Sequence, residues 1–443
     1  MRIISLLFLT LVAIYSAFGQ TTDTIVQRAR EEISILTSEE FAGRGYVHDG
    51  HLKAAEYIAR RMDSAGLNQI NVLNPGAESW FQPFSFTALI VKDGELIVDG
   101  DTLLIGIDFI VNKYTASATA EGKIIDLGYG LKTKKFPKAT GKIVVFRSGW
   151  PDNMADNADA KEALADLSGD MDRVAAIAAH QPLGILILKS KLTHGFVAAQ
   201  ADLPIVEVLV DSWPGRCPGE ARIRTEANPE RIQTQNVLGY LPGSCRTRET
   251  VVICAHYDHL GQVGDAIFTG ANDNAAGITM MLSMMDHFVQ PQNRPERNML
   301  FIGFGAEEVG LIGSRHYVAE DPVILLSDME FLLNLDLMGN GVDGIMAVGG
   351  RTYPEEWEDL VALNDSLQAV PKVRARANAP NSDHYWFLEQ GVKGFFIYTM
   401  GGPSWYHDVF DSEANIELSR YAEVRELLIQ YLSQYHLRCP EEE

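Results

Sequence analysis

The sequence is poor in features that define several large classes of protein. Four cysteines in 443 residues are too few for a scaffold built on disulfides. Positive charge is scarce, with 37 lysines and arginines against 59 aspartates and glutamates and a formal net charge of −22. Nucleic acid and anionic membranes are therefore not expected partners, because they bind basic surfaces. The chain also lacks the G-x-S-x-G, P-loop and H-E-x-x-H motifs, which removes the sequence basis for the corresponding chemistries.

Long apolar runs are absent except at the start of the chain. Residues 1–19 carry one arginine, an apolar run over residues 3–15, and small residues at Ala17 and Gly19. This layout is typical of a secretory signal peptide cleaved before Gln20, and the run is shorter than the roughly 20 residues that span a bilayer. We therefore expect an exported protein, periplasmic or extracellular, with no membrane contact after cleavage.

What is present predicts an α/β protein of two or three domains. Residues 20–80 show helical periodicity, and residues 81–230 contain short strands with one helix over 160–180 and an exit at Asn228–Pro229. In residues 231–443, near-continuous apolar strands alternate with helices, and an amphipathic helix is predicted over 416–437. This pattern predicts a mostly parallel central sheet flanked by helices, with a β-rich insertion at 81–230.

Metal-capable side chains follow the predicted strands of the last segment. Each of them alone has an ordinary explanation, such as a helix cap or a solvated acidic pair. Together they predict a metal site, because strand ends converge at one sheet edge and crowded carboxylates need a cation. Imidazoles with carboxylates suit zinc best, with cobalt or manganese possible. The strand-end groups are His256, Asp258, Glu307, Glu308, Asp336 and His407, and Asp273 lies in a loop that opens a helix.

These residues resemble the co-catalytic dizinc exopeptidases, the family of bacterial leucyl-type aminopeptidases and glutamate carboxypeptidase. The resemblance rests on the strings AHYDHLG, GANDNAAG, GFGAEEVGLIGSRHY, NLDLMG and SDHYWF, and on an early AGRG loop. The spacings between the five candidate ligands are 17, 35, 28 and 71 residues. The last spacing leaves no room for the lid domain that some related families insert there.

The resemblance implies a role for each matching position. Asp273 would bridge two zinc ions, with His256 and Asp336 on one and Glu308 and His407 on the other. Glu307 would be the general base, Asp258 would orient His256, and Tyr406 would hydrogen-bond the developing oxyanion. The string Ser382-Asp383-His384 would lie in the pocket or behind the ligands, and His259 receives no role. The insertion resembles a protease-associated domain, for which shaping substrate access and a passive surface role stay equally open.

The predicted function is hydrolysis of a peptide bond at a chain terminus, most simply the N-terminus, by a monomeric enzyme. A carboxypeptidase or dipeptidase of the same family is one alternative, and a glutaminyl cyclase with a single zinc ion is another. A non-catalytic receptor-like homologue is disfavoured, because all five ligands and Glu307 are present. Among the cysteines, we expect a packed free thiol at Cys254 and a Cys217–Cys245 disulfide, which leaves Cys439 without a partner.

Overall fold

The computed structural model describes residues 22–71, 78–214 and 219–439. The predicted signal peptide and Cys217 therefore lie outside the described residues. The helices are α1 (22–36), α2 (Gly50–Ser64), α3 (Asp152–Ala155), α4 (Ala158–Glu162), α5 (Asp170–Ala178), α6 (Ala276–Phe288), α7 (Ile312–Ala319), α8 (Pro354–Leu367), α9 (His384–Glu389) and α10 (Tyr421–Tyr431).

The strands are β1 (Ile70–Asn71), β2 (Glu78–Ser79), β3 (Phe81–Val98), β4 (Asp101–Thr102), β5 (Phe109–Val111), β6 (Ala118–Asp126), β7 (Ile143–Arg147), β8 (Gly184–Lys189), β9 (Ile205–Leu209), β10 (Glu220–Leu241), β11 (Thr250–His256), β12 (Gly261–Val263), β13 (Ala266–Phe268), β14 (Asn298–Phe304), β15 (Met329–Leu335), β16 (Gly344–Val348), β17 (Val373–Arg376) and β18 (Gly394–Met400).

A mostly parallel sheet forms the centre of the last segment, as the apolar pattern predicts. The order β17-β16-β18-β15-β11-β14-β10 contains parallel pairings among β14, β11, β15 and β18. The outer strand β16 runs antiparallel to β18, and β10 runs antiparallel to β14. Every residue of β11 and β14 is buried, because both faces of the sheet are covered.

Each face of this sheet is covered by a different set of helices. On one face, Ile253 and Phe301 share a core with residues of α1, α2, α6, α8 and α10. On the other face, Val252 and Ile302 pack with Tyr317 of α7 and Phe387 of α9. Successive side chains along each strand thus point alternately into the two cores. Because both cores are apolar, the strands appear in the sequence as continuous apolar runs.

The insertion is joined to the central sheet by a continuous ribbon of two long strands. β3 pairs antiparallel with β10 from Phe81–Val237 to Val98–Ala221, and the far end of β10 pairs with β6. Asn228–Pro229 lies inside β10, beside a register shift at Glu226/Ala227, rather than at an exit from the insertion. The domain limits at residues 80 and 230 stay a prediction.

Two predicted helices differ from the structure. The helix over 160–180 is broken: α4 ends at Glu162, a short 3₁₀ turn follows, and α5 begins at Asp170 after Gly169. Glycine has a low helix propensity, and here its main-chain N–H is capped by the side chain of Asp172 at 2.8 Å. The last helix, predicted from residue 416, begins at Tyr421 and continues through a π turn at Leu432–His436.

One cysteine prediction is confirmed and one is wrong. Cys254 is a buried free thiol. Cys245 is bonded to Cys439 rather than to Cys217, so the loop before β11 is tied to the segment after α10. The two residues are 194 positions apart in the chain, and sequence spacing alone could not show that they meet.

No helix within the described ranges combines the length and the apolar character needed to cross a membrane.

Candidate metal centre

The predicted ligands meet at the carboxyl edge of the parallel strands. His256 is the last residue of β11, Asp336 directly follows β15, and Glu308 lies four residues after the end of β14. Asp273 lies in the π turn Ala271–Ala275 before α6, and His407 lies in the loop after β18. The strand ends therefore place the groups that the sequence pattern predicts at this edge.

The ligand atoms form two triads that share Asp273. His256 Nε2 lies 3.3 Å from Asp273 Oδ1 and 3.3 Å from Asp336 Oδ1. On the other side, His407 Nε2 lies 3.3 Å from Asp273 Oδ2 and 3.1 Å from Glu308 Oε2. The two carboxylate oxygens of Asp273 thus face different triads.

The spacing of these atoms fits zinc. A tetrahedral zinc ion with bonds of roughly 2.0–2.1 Å holds its ligand atoms about 3.3 Å apart. Asp336 Oδ1 and His407 Nε2 are buried and have no hydrogen-bond partner among the described residues. Buried polar atoms without a partner are costly, so a cation in each triad would satisfy them.

Glu307 lies next to the triad that contains His256 and Asp336, and it is not part of the triad that contains Glu308 and His407. Donor atoms of Glu307, His256 and Asp336 all lie within 4.8 Å of one another. Burial raises the pKa of Glu307 well above its ordinary value, and the neighbouring carboxylate of Glu308 contributes to the shift. The structure therefore places the Glu307 carboxyl group next to His256 and Asp336, outside both triads.

Asp258 holds the site differently from the prediction. The contact to His256 Nδ1 is made by the main-chain carbonyl of Asp258 at 3.1 Å, while the carboxylate oxygen lies 4.0 Å away. The carboxylate instead accepts hydrogen bonds from the Tyr46 hydroxyl at 2.8 Å and from the main-chain N–H of Glu307 at 3.1 Å. Asp258 therefore orients His256 through its backbone and fixes the Glu307 loop through its side chain.

Tyr406 and the Ser382-Asp383-His384 string take separate positions. Tyr406 is half-exposed and stacks on the ring of His407, with the ring centroids 3.8 Å apart. Ser382 donates to Asp336 Oδ2 at 2.8 Å and accepts from Asn334 at 2.7 Å, so it orients a predicted ligand. Asp383 and His384 are fully buried. Burial raises the pKa of Asp383 to about 7 and lowers the pKa of His384 to about 3.

Arg44 is a residue of the site for which the sequence suggested no role. Its side chain is fully buried. The guanidinium donates to the main-chain carbonyls of Tyr257 at 2.9 Å, Thr269 at 2.6 Å and Gly270 at 2.8 Å. It also reaches the carbonyls of Leu36 at 3.0 Å and Asp273 at 3.4 Å. Arg44 therefore joins the loop after β11 to the loop that carries Asp273, and it places a positive charge beside the carboxylates.

His259 and Asp411 also support predicted ligands. His259 is fully buried, and its Nδ1 lies 2.6 Å from Glu308 Oε1, the oxygen that does not face His407. Asp411 accepts the main-chain N–H groups of Asn272 at 2.8 Å and Asp273 at 2.9 Å. His259 can be singled out in the sequence because it belongs to the AHYDHLG string. No local sequence pattern distinguishes Asp411 from other acidic residues in loops.

The fold matches that of solved zinc aminopeptidase structures. The solved structure of BSAP, a zinc aminopeptidase from Bacillus subtilis, aligns over 92% of this chain and 94% of its own, with a TM-score of 0.66 and 22% identity. A peptidase M28 precursor from Shewanella amazonensis aligns over 96% of this chain and 99% of its own, with a TM-score of 0.63 and 15% identity. At these identities the likeness shows the fold.

Sequence comparison finds a match to a peptidase family. Residues 236–432 match the profile of peptidase family M28. Aminopeptidase YwaD of Bacillus subtilis is 29% identical over 221 residues, which cover 47% of this chain and 46% of the relative. The chain aligns to less than half the length of the curated relatives it matches. The predicted family resemblance is confirmed.

Proposed function

We propose that the chain is a zinc-dependent exopeptidase that binds two zinc ions and removes residues from the N-termini of peptides. The observation that carries the proposal is the pair of ligand triads sharing Asp273, each with the spacing that zinc requires. The match to a peptidase family supports hydrolysis of a peptide bond. The likeness to a protein named as an aminopeptidase supports the choice of terminus.

The side chains divide the work of hydrolysis among them. Zinc, when bound by the two triads, would polarise the scissile carbonyl and lower the pKa of water. Glu307 takes the proton from the attacking water and returns it to the leaving amine. Partial burial raises the pKa of Tyr406, and the negative charge of Asp273 adds a smaller contribution in the same direction. The hydroxyl therefore stays protonated and can donate a hydrogen bond to the carbonyl oxygen as charge develops there.

A blocked-peptide panel tests this proposal. The purified protein is incubated with one apolar tripeptide as the free, the N-acetylated and the C-amidated form, and Glu307→Gln serves as the matched inactive control. We expect cleavage of the free and the amidated peptide but not of the acetylated one. Activity should be lost to a chelator and restored by zinc, at two ions per chain. Equal cleavage of the acetylated peptide, or full activity at one ion per chain, would contradict the proposal.

We propose in addition that the protein is exported. The signal-like residues 1–19 support this, and so does the Cys245–Cys439 disulfide, because disulfides persist in oxidising compartments. Sequencing the N-terminus of the protein recovered from culture medium or periplasm should give Gln20 first. Recovery of the chain only from the cytoplasm, with Cys245 and Cys439 reduced, would contradict export.

A further inference from the structure

The predicted ligand His407 lies in a loop with no regular structure of its own. This segment, residues 401–412, follows β18 and is called the His407 loop below. His407 has a φ of +59°, a left-handed conformation that is strained for a non-glycine residue and persists only where the surroundings hold it. Trp405, Tyr406 and Phe410 of the same loop are exposed apolar side chains. Within the loop, the ring of Tyr406 stacks on the ring of His407, and the main chain around His407 is held by contacts with other segments.

Asp411 ties the far end of the loop to Asn272 and Asp273, and the insertion holds the part of the loop around His407. Lys191 Nζ donates to the main-chain carbonyls of Ser404 at 3.0 Å and Tyr406 at 2.9 Å. The main-chain N–H of His194 donates to the carbonyl of His407 itself at 3.1 Å. Three main-chain carbonyls of the loop are thus held by two residues that follow β8, and charge-assisted bonds such as those of Lys191 are the stronger kind.

The segment that makes these bonds is itself anchored to the catalytic part. The ring of His194 is buried and stacks on Phe268, with the ring centroids 5.4 Å apart. Phe268 is the last residue of β13 and lies shortly before the loop that carries Asp273. On the other side of the insertion, Gly106 lies so close to Val409 that an added Cβ would come within 3.2 Å of its Cγ1. The His407 loop is therefore packed against the insertion at two places.

We propose that the insertion positions His407 for zinc binding, with Lys191 and His194 as the positioning residues. The inference rests on the proposed function, since it takes His407 as a zinc ligand. It gives the insertion a role in building the metal centre, in place of the passive surface role that the sequence left open. The ligand that comes last in the chain is held by a part of the protein that contributes no ligand.

The test compares Lys191→Met with Lys134→Met. Both variants remove one ammonium group from the insertion and leave an unbranched apolar side chain. Lys134 is an exposed residue of the 3₁₀ segment Thr133–Ala139, and it makes no bond to the His407 loop among the described contacts. The first measurement is hydrogen exchange of residues 401–412 in the metal-free protein. We expect faster exchange there in Lys191→Met, unchanged exchange in Lys134→Met, and rescue by Lys191→Arg.

The second measurement is zinc titration against a chromophoric chelator. We expect Lys191→Met to weaken one of the two sites about tenfold and leave the other unchanged, as is usual when a group that orients a ligand is removed. Unchanged exchange, or faster exchange with unchanged zinc affinity, would overturn the positioning role. A His407→Ala variant that still binds two zinc ions with wild-type affinity would instead refute the ligand assignment in the proposed function, so the two failures are distinguishable.

Discussion

Replacing Arg44 by lysine tests how far one buried side chain holds the metal centre together. The guanidinium has five N–H donors and serves five main-chain carbonyls, four of them at 2.6–3.0 Å. An ammonium group has three donors in a tetrahedral arrangement and cannot reproduce this fork. Arg44→Lys keeps the positive charge, so the variant isolates the effect of the lost hydrogen bonds.

The expected magnitude follows from the number of bonds lost. At least two buried carbonyls lose their donor, and a hydrogen bond to a charged group contributes about 1.5–3 kcal/mol. We therefore expect Arg44→Lys to lower the free energy of unfolding of the metal-free protein by about 3–6 kcal/mol, measured by urea denaturation. Because the carbonyls of Tyr257 and Asp273 are among the five, we also expect zinc affinity to fall by about 10–100-fold.

Arg173→Lys is the matched control. Arg173 is equally buried and donates to the carbonyls of Leu167, Gly149 and Ser168, all within the insertion and remote in sequence from the predicted ligands. Its replacement should cost about 1–3 kcal/mol of stability and leave zinc affinity unchanged. Equal losses of zinc affinity in both variants, or an unchanged affinity in Arg44→Lys, would refute the reasoning.

Three further predictions concern the acids and the disulfide. Glu307→Gln should keep both zinc ions and lose at least about a hundredfold in kcat, whereas Glu308→Gln should lose metal, which elemental analysis of the two variants would distinguish; the reverse pattern would exchange their roles. Cys439→Ser should destabilise the protein by about 2–4 kcal/mol because it opens the 194-residue link to Cys245, and thermal unfolding with and without a reductant would check this. Burial raises the pKa of Glu207, so its stabilising contribution is present below the unfolded pKa of about 4.3 and is lost as the pH rises through the folded pKa. The melting temperature of Glu207→Gln should therefore improve relative to the wild type as the pH rises above about 4.3, and a difference that stays constant with pH would contradict the assignment.

The sequence predicted the site residues that lie at, or a few residues after, the end of an apolar strand. His256, Glu308 and Asp336 each follow a buried apolar strand, so the period of the strands and the geometry of parallel sheets suffice to bring them together. The same reasoning applies to the covered sheet itself, whose two faces are read directly from the unbroken apolar runs.

What the sequence did not predict depends on contacts between distant segments. Arg44 lies more than 200 positions before the carbonyls of Tyr257 and Asp273, and Asp411 lies 138 positions after the main-chain N–H of Asp273 that it accepts. The hydrophobic periodicity of the sequence gives no information on such contacts, because they depend on how loops meet after the sheet has formed. The Cys245–Cys439 pairing and the contacts of Lys191 with the His407 loop were missed for the same reason.

The order of the predicted ligands along the chain limits when the second triad can form. His407 is the last of the five predicted ligands to be synthesised, and it meets Asp273 and Glu308 only after its loop has folded. Selection among zinc, cobalt and manganese depends on availability as well as on affinity. If the triads bind metal as proposed, the ions present where this loop folds would therefore decide which metal occupies the second triad.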